Sequence, residues 1–135
     1  MTQKEFLQQA FVAHKEIEVR LEQITTLQAL ATQTTTIIRH APGGSNIFRS
    51  RVETAVIQIQ EHMTHLADEV ARLIEVTKQI SSAIELVPNV NERAILEYRY
   101  LCFFSWQQIS ALMKTGVSNV WKIHRRAVKN FRGVK

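Results

Sequence analysis

Three observations predict an all-α protein. Apolar residues in the middle of the chain recur in alternating steps of four and three over about five heptads, and the first forty residues repeat this spacing. No segment alternates apolar and polar residues as a half-buried strand would. The 135 residues include only four Gly and two Pro to interrupt helices. We therefore expect helices throughout, in an N-terminal region, residues 1–87, and a C-terminal domain, residues 88–135.

The middle helix is expected to run from about Asn46 to Leu86, because Pro88 disfavours helix at the residue before it. One predicted apolar seam follows it, with Thr77 in the single gap, and consists of Val52, Val56, Ile59, Met63, Leu66, Val70, Leu73, Ile80, Ile84 and Val87. A helix with such a stripe needs a partner helix to cover it.

The first forty residues can supply that partner. One four-three seam consists of Leu7, Ala10, Ile17, Leu21, Ile24, Ala31 and Ile38, and an overlapping one adds Phe6, Ala13 and Leu27. Together they form an apolar face wider than a two-stranded coil requires, which favours a bundle. The short segment 40–46, with Pro42 and two glycines, predicts an antiparallel hairpin. Two separate helices that each pair across a dimer remain an alternative.

The C-terminal domain is predicted to contain three helices, from Glu92 to about Phe103, from Trp106 to about Met113, and from Val117 to about Phe131. Asn89 or Asn91 can cap the first, and Ser105 followed by Gln108 is a capping-box pattern for the second. Residues 114–117 form the predicted turn. The single cysteine, Cys102, lies in an apolar run and is expected to be a small buried side chain.

Charge is divided unevenly along the chain. Residues 1–87 carry eight Lys or Arg against ten Asp or Glu, a net −2, whereas residues 88–135 carry nine against two, a net +7. From Lys114 to Lys135 there are seven basic residues and no acidic one. A basic tract on a two-helix unit indicates nucleic-acid binding, and a solvated basic tail is the alternative interpretation.

A helical wheel divides the last helix into two faces. Val120, Ile123, Ala127 and Phe131 share one side, and the opposite side carries Ser118, Lys122, Arg125 and Lys129, with Asn119 and Arg126 beside them. We expect Ser118, Asn119 and Lys122 to reach base edges in the major groove. We expect Arg125, Arg126 and Lys129 to lie at the phosphates, and Lys114 belongs to the same basic tract. Trp121 lies at the edge of the apolar face and is interpreted as a core aromatic rather than a base contact.

The stretch 91–132 resembles region 4 of bacterial sigma factors. The resemblance is carried by the ILEYRYL run, the SWQQIS helix start and the VWKIHRRAVKNF helix. The layout, with long helices before this module, is similar to small phage and prophage regulators, including late-operon activators of the autolysin-regulator (ArpU) type.

The resemblance implies a helix-turn-helix that reads double-stranded promoter DNA through Ser118, Asn119, Lys122 and Arg126. It places Gln107 and Gln108 near the DNA backbone. It also implies contact with RNA polymerase through a surface around Tyr98, Arg99 and Phe103. Two features depart from region 4: the last helix opens with Val117-Ser118-Asn119, and no promoter-melting region is present. A transcriptional regulator is therefore expected, not a complete sigma factor.

Two other functions remain as alternatives: a DNA-packaging protein of the small-terminase type, and a coiled-coil adaptor that does not bind DNA. The sequence contains no nucleophile–base pair, carboxylate pair or phosphate-binding loop that would indicate an enzyme, and no cofactor is expected. His62, His65 and Glu69 have a spacing that could hold a metal, but nothing else converges on them, so no metal site is predicted. We expect a cytoplasmic protein that forms homo-oligomers through residues 1–87 and does not bind membranes.

Overall fold

The computed structural model describes residues 1–40 and 45–133, and their side chains except at 34–40, 45 and 48. The regular structure is helical, without a strand in the described residues, so the predicted all-α class is confirmed. The helices are α1 (Gln3–His40), α2 (Ser45–Ile84), α3 (Val90–Tyr100), α4 (Trp106–Met113) and α5 (Val117–Asn130). Of the segment 40–46 that is predicted to connect the first two helices, residues 41–44 lie outside the described residues, as do the side chain of Ile38 and the cation Lys135.

The described helices include none that combines the length and the apolarity needed to cross a membrane.

The chain forms two compact units, which divide α1 and α2 between them. The core unit comprises residues 1–14 and 72–135, and the long-helix unit comprises residues 15–71. The core unit has a continuous apolar core to which all five helices contribute. Its buried members are Leu7, Ala10, Ile80, Ile84, Val87, Ile95, Leu96, Tyr100, Ile109, Val120, Ile123, Ala127 and Phe131.

The first turns of α1 are part of this core. Phe6 packs on Phe131 with ring centroids 5.8 Å apart. Phe11 meets Tyr100 and Phe103 edge to face, at 6.0 and 5.5 Å. The core unit thus draws residues from both sides of the predicted division after residue 87. That division, as a boundary between domains, stays a prediction.

Local capping explains where the short helices begin. The Asn89 side chain accepts a hydrogen bond from the backbone N–H of Glu92 at 3.0 Å. Ser105 and Gln108 form the predicted reciprocal capping box at the start of α4. Both caps satisfy backbone donors that a helix terminus otherwise leaves unpaired.

Helix α3 ends three residues before the predicted end at Phe103. The reason is that Phe103 adopts a left-handed backbone conformation, φ 60°, which cannot continue a right-handed helix. This conformation is unfavourable for an aromatic residue, and the packing of its ring against Phe11 and His14 compensates. The chain bends at Cys102, which is exposed, so the prediction of a buried cysteine was wrong.

The long-helix unit has a polar cluster in place of a large core. Arg20 Nε of α1 lies 2.7 Å from Glu69 Oε1 of α2, and Arg20 Nη1 lies 2.8 Å from His62 Nδ1. The side chains of Arg20 and Glu69 are only 25% and 11% exposed. Ile24 is the one buried apolar side chain of residues 15–71, as far as their side chains are described.

The predicted seam of α2 is half correct in this unit. Val52, Ile59 and Leu66 are half-buried, whereas Val56, Met63 and Val70 are 43%, 56% and 38% exposed. The partly covered row of α2 also contains the polar residues His62 and Glu69, because Arg20 of α1 binds both. A pattern of apolar residues cannot show that polar residues take part in a helix interface. The predicted seam therefore includes exposed apolar residues such as Met63 and leaves out His62 and Glu69.

Candidate nucleic-acid interface

The buried residues of α5, together with Phe131 just after its end, are the four that the wheel predicted. Val120, Ile123, Ala127 and Phe131 are all buried in the core unit. Burying them sets the rotation of α5 about its axis, since a different rotation would expose apolar surface to water. The opposite side of the helix is thereby turned to solvent.

The outward face carries unpaired cations. The eight predicted contact residues are all exposed: Lys114, Gln107, Ser118, Asn119, Lys122, Arg125, Arg126 and Lys129. Among the described residues, no acidic side chain pairs with Lys122, Arg125 or Lys129. These three cations are available to a polyanion without first breaking an ion pair.

The turn before α5 is held by local hydrogen bonds. Lys114 adopts the left-handed conformation, φ 54°, and ends α4. The Ser110 hydroxyl donates to the carbonyl of Thr115, and Asn119 Nδ2 donates to Thr115 Oγ1 at 2.9 Å. The first turn of α5, with Ser118 and Asn119, therefore has a fixed position relative to the end of α4.

Arg126 differs from the other cations. Its Nε lies 3.4 Å from Glu92 Oε1, although its side chain remains 63% exposed. Glu92 is buried, and it also accepts a hydrogen bond from Asn130 Nδ2 at 3.3 Å. Arg126 thus helps to join α5 to α3, and its predicted role in DNA contact stays a prediction.

Both acidic residues of the 88–135 segment lie on α3, away from the exposed cations in sequence. Glu92 is engaged by Arg126 and Asn130, and Glu97 lies 3.9 Å from Arg93 Nε. Helices α4 and α5 contain no acidic residue. The surface of α5 is consequently positive along its length, which attracts anionic partners.

An aromatic cluster of Tyr100 on α3, Trp106 on α4 and His124 on α5 links the three short helices. Tyr100 Oη and His124 Nε2 are 2.7 Å apart, and the Trp106 ring meets the His124 ring edge to face at 4.7 Å. Burial, together with the smaller effects of the cations Arg99 and Lys4, lowers the pKa of His124 to about 4. Burial likewise raises the pKa of Tyr100 to about 12, against the opposing effect of Arg99. Both rings are therefore neutral at pH 7, and this cluster adds no charge to the interface.

The surface that the resemblance assigned to RNA polymerase is partly occupied within the core unit. The Arg99 guanidinium lies 4.6 Å from the Phe11 ring centroid and 4.2 Å from that of Trp106. Phe103 stacks on His14 at 4.2 Å. Arg99 and Phe103 are half-buried, and Tyr98 is half-buried against Phe104.

The sequence interpretation misplaced two side chains near α5. Trp121, expected in the core, is 50% exposed. Leu112 is also 50% exposed, although the helical spacing of residues 106–113 predicts that it is buried together with Ile109 and Met113. The helical wheel could have predicted the exposure of Trp121. This residue lies three residues after Ser118 and four before Arg125, and it therefore lies next to both on the helix surface. For Leu112 no feature of the sequence distinguishes it from its buried neighbour Ile109.

The described residues contain no group of three or more His, Cys, Asp or Glu side chains placed to hold a metal ion. His62 Nδ1 instead contacts Arg20.

Comparisons with known proteins identify no relative: no protein-family model, curated protein or solved structure matches the chain.

Proposed function

We propose that the protein is a sequence-specific, double-stranded DNA-binding transcriptional regulator of the phage or prophage type. In this proposal α4 and α5 form a helix-turn-helix, with α5 in the major groove. One observation carries it: Lys122, Arg125 and Lys129 stand exposed and unpaired, as far as the chain is described, on the face of α5 opposite its buried residues. Duplex DNA is the partner that matches a row of cations on a rigid helix.

The residues divide by their place on the helix. Ser118, Asn119 and Lys122 lie in the first two turns of α5, the part of a recognition helix that reaches base edges. Arg125 and Lys129 lie further along and are assigned to phosphates. Lys114 precedes the helix, and Gln107 lies in the first turn of α4, where both can contact the backbone of the DNA.

Residues 1–87 are proposed to form an antiparallel hairpin that self-associates. The contact of Arg20 with Glu69, 49 residues apart, supports the hairpin. Val56, Met63 and Val70 share the heptad spacing and are exposed, so a second copy of the chain can cover them. Paired modules would then bind half-sites separated by about one helical turn of DNA or a multiple of it.

Mapping of bound DNA across the host or lysogen genome tests the regulatory role. The proposal predicts discrete peaks at promoters. A single peak at a packaging site, together with a large ring by light scattering, would support the small-terminase alternative. The absence of any DNA binding would support the adaptor alternative, and co-purification of RNA polymerase would add that partner.

A charge reversal tests the binding face. Arg125→Glu should remove specific binding in gel-shift assays while circular dichroism stays unchanged, because this side chain makes no ion pair among the described residues. Lys78→Glu, an exposed site on α2, is the matched control and should bind normally. Arg126→Glu is a poorer test, because it would place a carboxylate beside buried Glu92 and destabilise the α3–α5 contact.

Two substitutions on α2 test self-association. Met63→Asp alters an exposed residue and should reduce the mass measured by light scattering without changing helicity. Leu66→Asp alters a half-buried residue and should also lower the melting temperature. An unchanged mass for Met63→Asp would show that this stripe does not hold two copies together.

A further inference from the structure

The exposure of Trp121 is costly unless a partner covers it. Tryptophan has a large apolar ring system with one polar N–H, and half of this residue is open to solvent. Val120, Ile123 and Ala127 lie on the inward side of α5 and are buried in the core. Trp121 lies toward the outward side of the helix, where the core does not cover it. The ring is therefore available to a molecule outside the described chain.

The surroundings of Trp121 favour DNA over an apolar protein surface. Lys122 follows it directly, and Arg125 lies one turn further on the same side of α5. Both cations are exposed, and against an apolar partner they would lose their hydration without gaining an ion pair. The major groove offers phosphates to the cations and, between them, the apolar C5 methyl group of thymine.

We propose that Trp121 is a specificity-determining residue that packs against a thymine methyl group in the major groove. The inference rests on the proposed DNA-binding function and extends it to the chemistry of one base position. Trp121 lies between Ser118, assigned to base edges, and Arg125, assigned to phosphates, so its ring spans the boundary between the groove floor and the backbone. The contact gives the protein a preference for thymine over cytosine at that position.

The second tryptophan provides an internal comparison. Trp106 is half-buried, with its ring 4.7 Å from His124 and 4.2 Å from the Arg99 guanidinium. It packs against His124 and Arg99 within the core unit and is not part of the surface proposed to bind DNA. Replacing it by Phe leaves Trp121 as the single tryptophan of the 135 residues.

The experiment uses full-length Trp106→Phe protein and a thymine-containing duplex that the wild type recovers from a randomised library. Binding of this duplex should quench the Trp121 fluorescence or shift it. Replacing the contacted thymine by deoxyuridine, which lacks only the methyl group, should weaken wild-type binding about tenfold, comparable to one good base contact. Trp121→Ala, with circular dichroism as the check on folding, should weaken binding similarly and become insensitive to the deoxyuridine replacement.

The outcomes separate this inference from the function on which it rests. Recovery of no duplex overturns both. Two results together would overturn the thymine contact alone. Binding would be tight and salt-dependent without a change in Trp121 fluorescence, and deoxyuridine would weaken binding equally in wild type and Trp121→Ala. A fluorescence shift that follows protein concentration without DNA assigns the ring to a protein interface and also overturns it.

Discussion

The core unit and the long-helix unit use similar heptad sequences in different ways. In the core unit the seam residues Ile80 and Ile84 of α2, and Val87 just after its end, are buried together with Leu7 and Ala10 of α1. In the long-helix unit, alternate seam positions such as Met63 stay exposed, and a polar contact between α1 and α2 occupies the interface. The same spacing thus yields a closed core in one place and an open stripe in the other.

The difference lies in the number of neighbours. Residues of the core unit pack against three short helices as well as each other, and each buried aliphatic side chain contributes about 1.5–3 kcal/mol from removal of apolar surface from water. Two long helices alone can cover only one stripe on each other. The long-helix unit is therefore where we expect a second copy of the chain, and the core unit is where we expect a stable DNA-binding surface.

The largest expected effect tests whether α1 is part of the core unit. Leu7 is fully buried, so Leu7→Ala should lower the free energy of unfolding by about 2–5 kcal/mol in urea denaturation. Val12, on the same helix, is 58% exposed, and Val12→Ala should cost no more than about 0.5 kcal/mol. Equal effects would mean that the first turns of α1 do not support the core.

The polar cluster of the long-helix unit should contribute less. Arg20→Met leaves Glu69 without its partner. Loss of one member of a fully buried ion pair lowers the free energy of unfolding by about 3–5 kcal/mol. We expect a loss of about 2 kcal/mol here, because the Arg20 side chain is 25% exposed. The double variant Arg20→Met, Glu69→Leu should recover most of the loss in thermal denaturation. A double variant as unstable as the single one would show that the ion pair is not what Arg20 contributes.

A smaller effect, dependent on pH, is expected from His124. Its pKa is lowered to about 4 in the folded protein against 6.5 in the unfolded chain, so the unfolded chain binds more protons between these values. The contribution of neutral His124 to the free energy of unfolding should be fully present above about pH 6.5 and should decline as the pH falls toward 4. His124→Gln, which keeps a polar group near Tyr100 but does not titrate, should flatten this part of the stability profile.

The smallest effect is expected at Cys102. Because this thiol is exposed, it should react with a thiol reagent in the native protein at nearly the rate seen after denaturation. Cys102→Ser should change the free energy of unfolding by no more than about 0.5 kcal/mol. Reaction only after denaturation would instead support the burial inferred from the sequence.

Local patterns predicted the C-terminal helices well. The capping box at Ser105 and Gln108 located the start of α4, and the wheel of α5 separated Val120 and Ile123 from Lys122 and Arg125. These features depend on residues within one or two turns, which a sequence displays directly. The predicted contact residues remained exposed for the same reason.

Features that depend on distant residues escaped prediction. The packing of Phe11 on Tyr100 and of Arg20 on Glu69 joins parts of the chain that no local pattern connects. The left-handed conformation of Phe103 is compensated by tertiary packing, so propensity alone favours a longer α3. The exposure of Cys102 follows from that early helix end.

The salt dependence of DNA binding tests the proposed interface most directly. The wild-type protein and Lys122→Ala, Arg125→Ala and Lys129→Ala variants would be titrated against one duplex over a range of salt concentrations. If Arg125 and Lys129 contact phosphates and Lys122 contacts a base edge, Arg125→Ala and Lys129→Ala should each lower the magnitude of the log-affinity versus log-salt slope by about 0.9, while Lys122→Ala and Lys78→Ala leave it nearly unchanged. Binding with the same slope in all five proteins would contradict the assignment of the outward face of α5 to DNA.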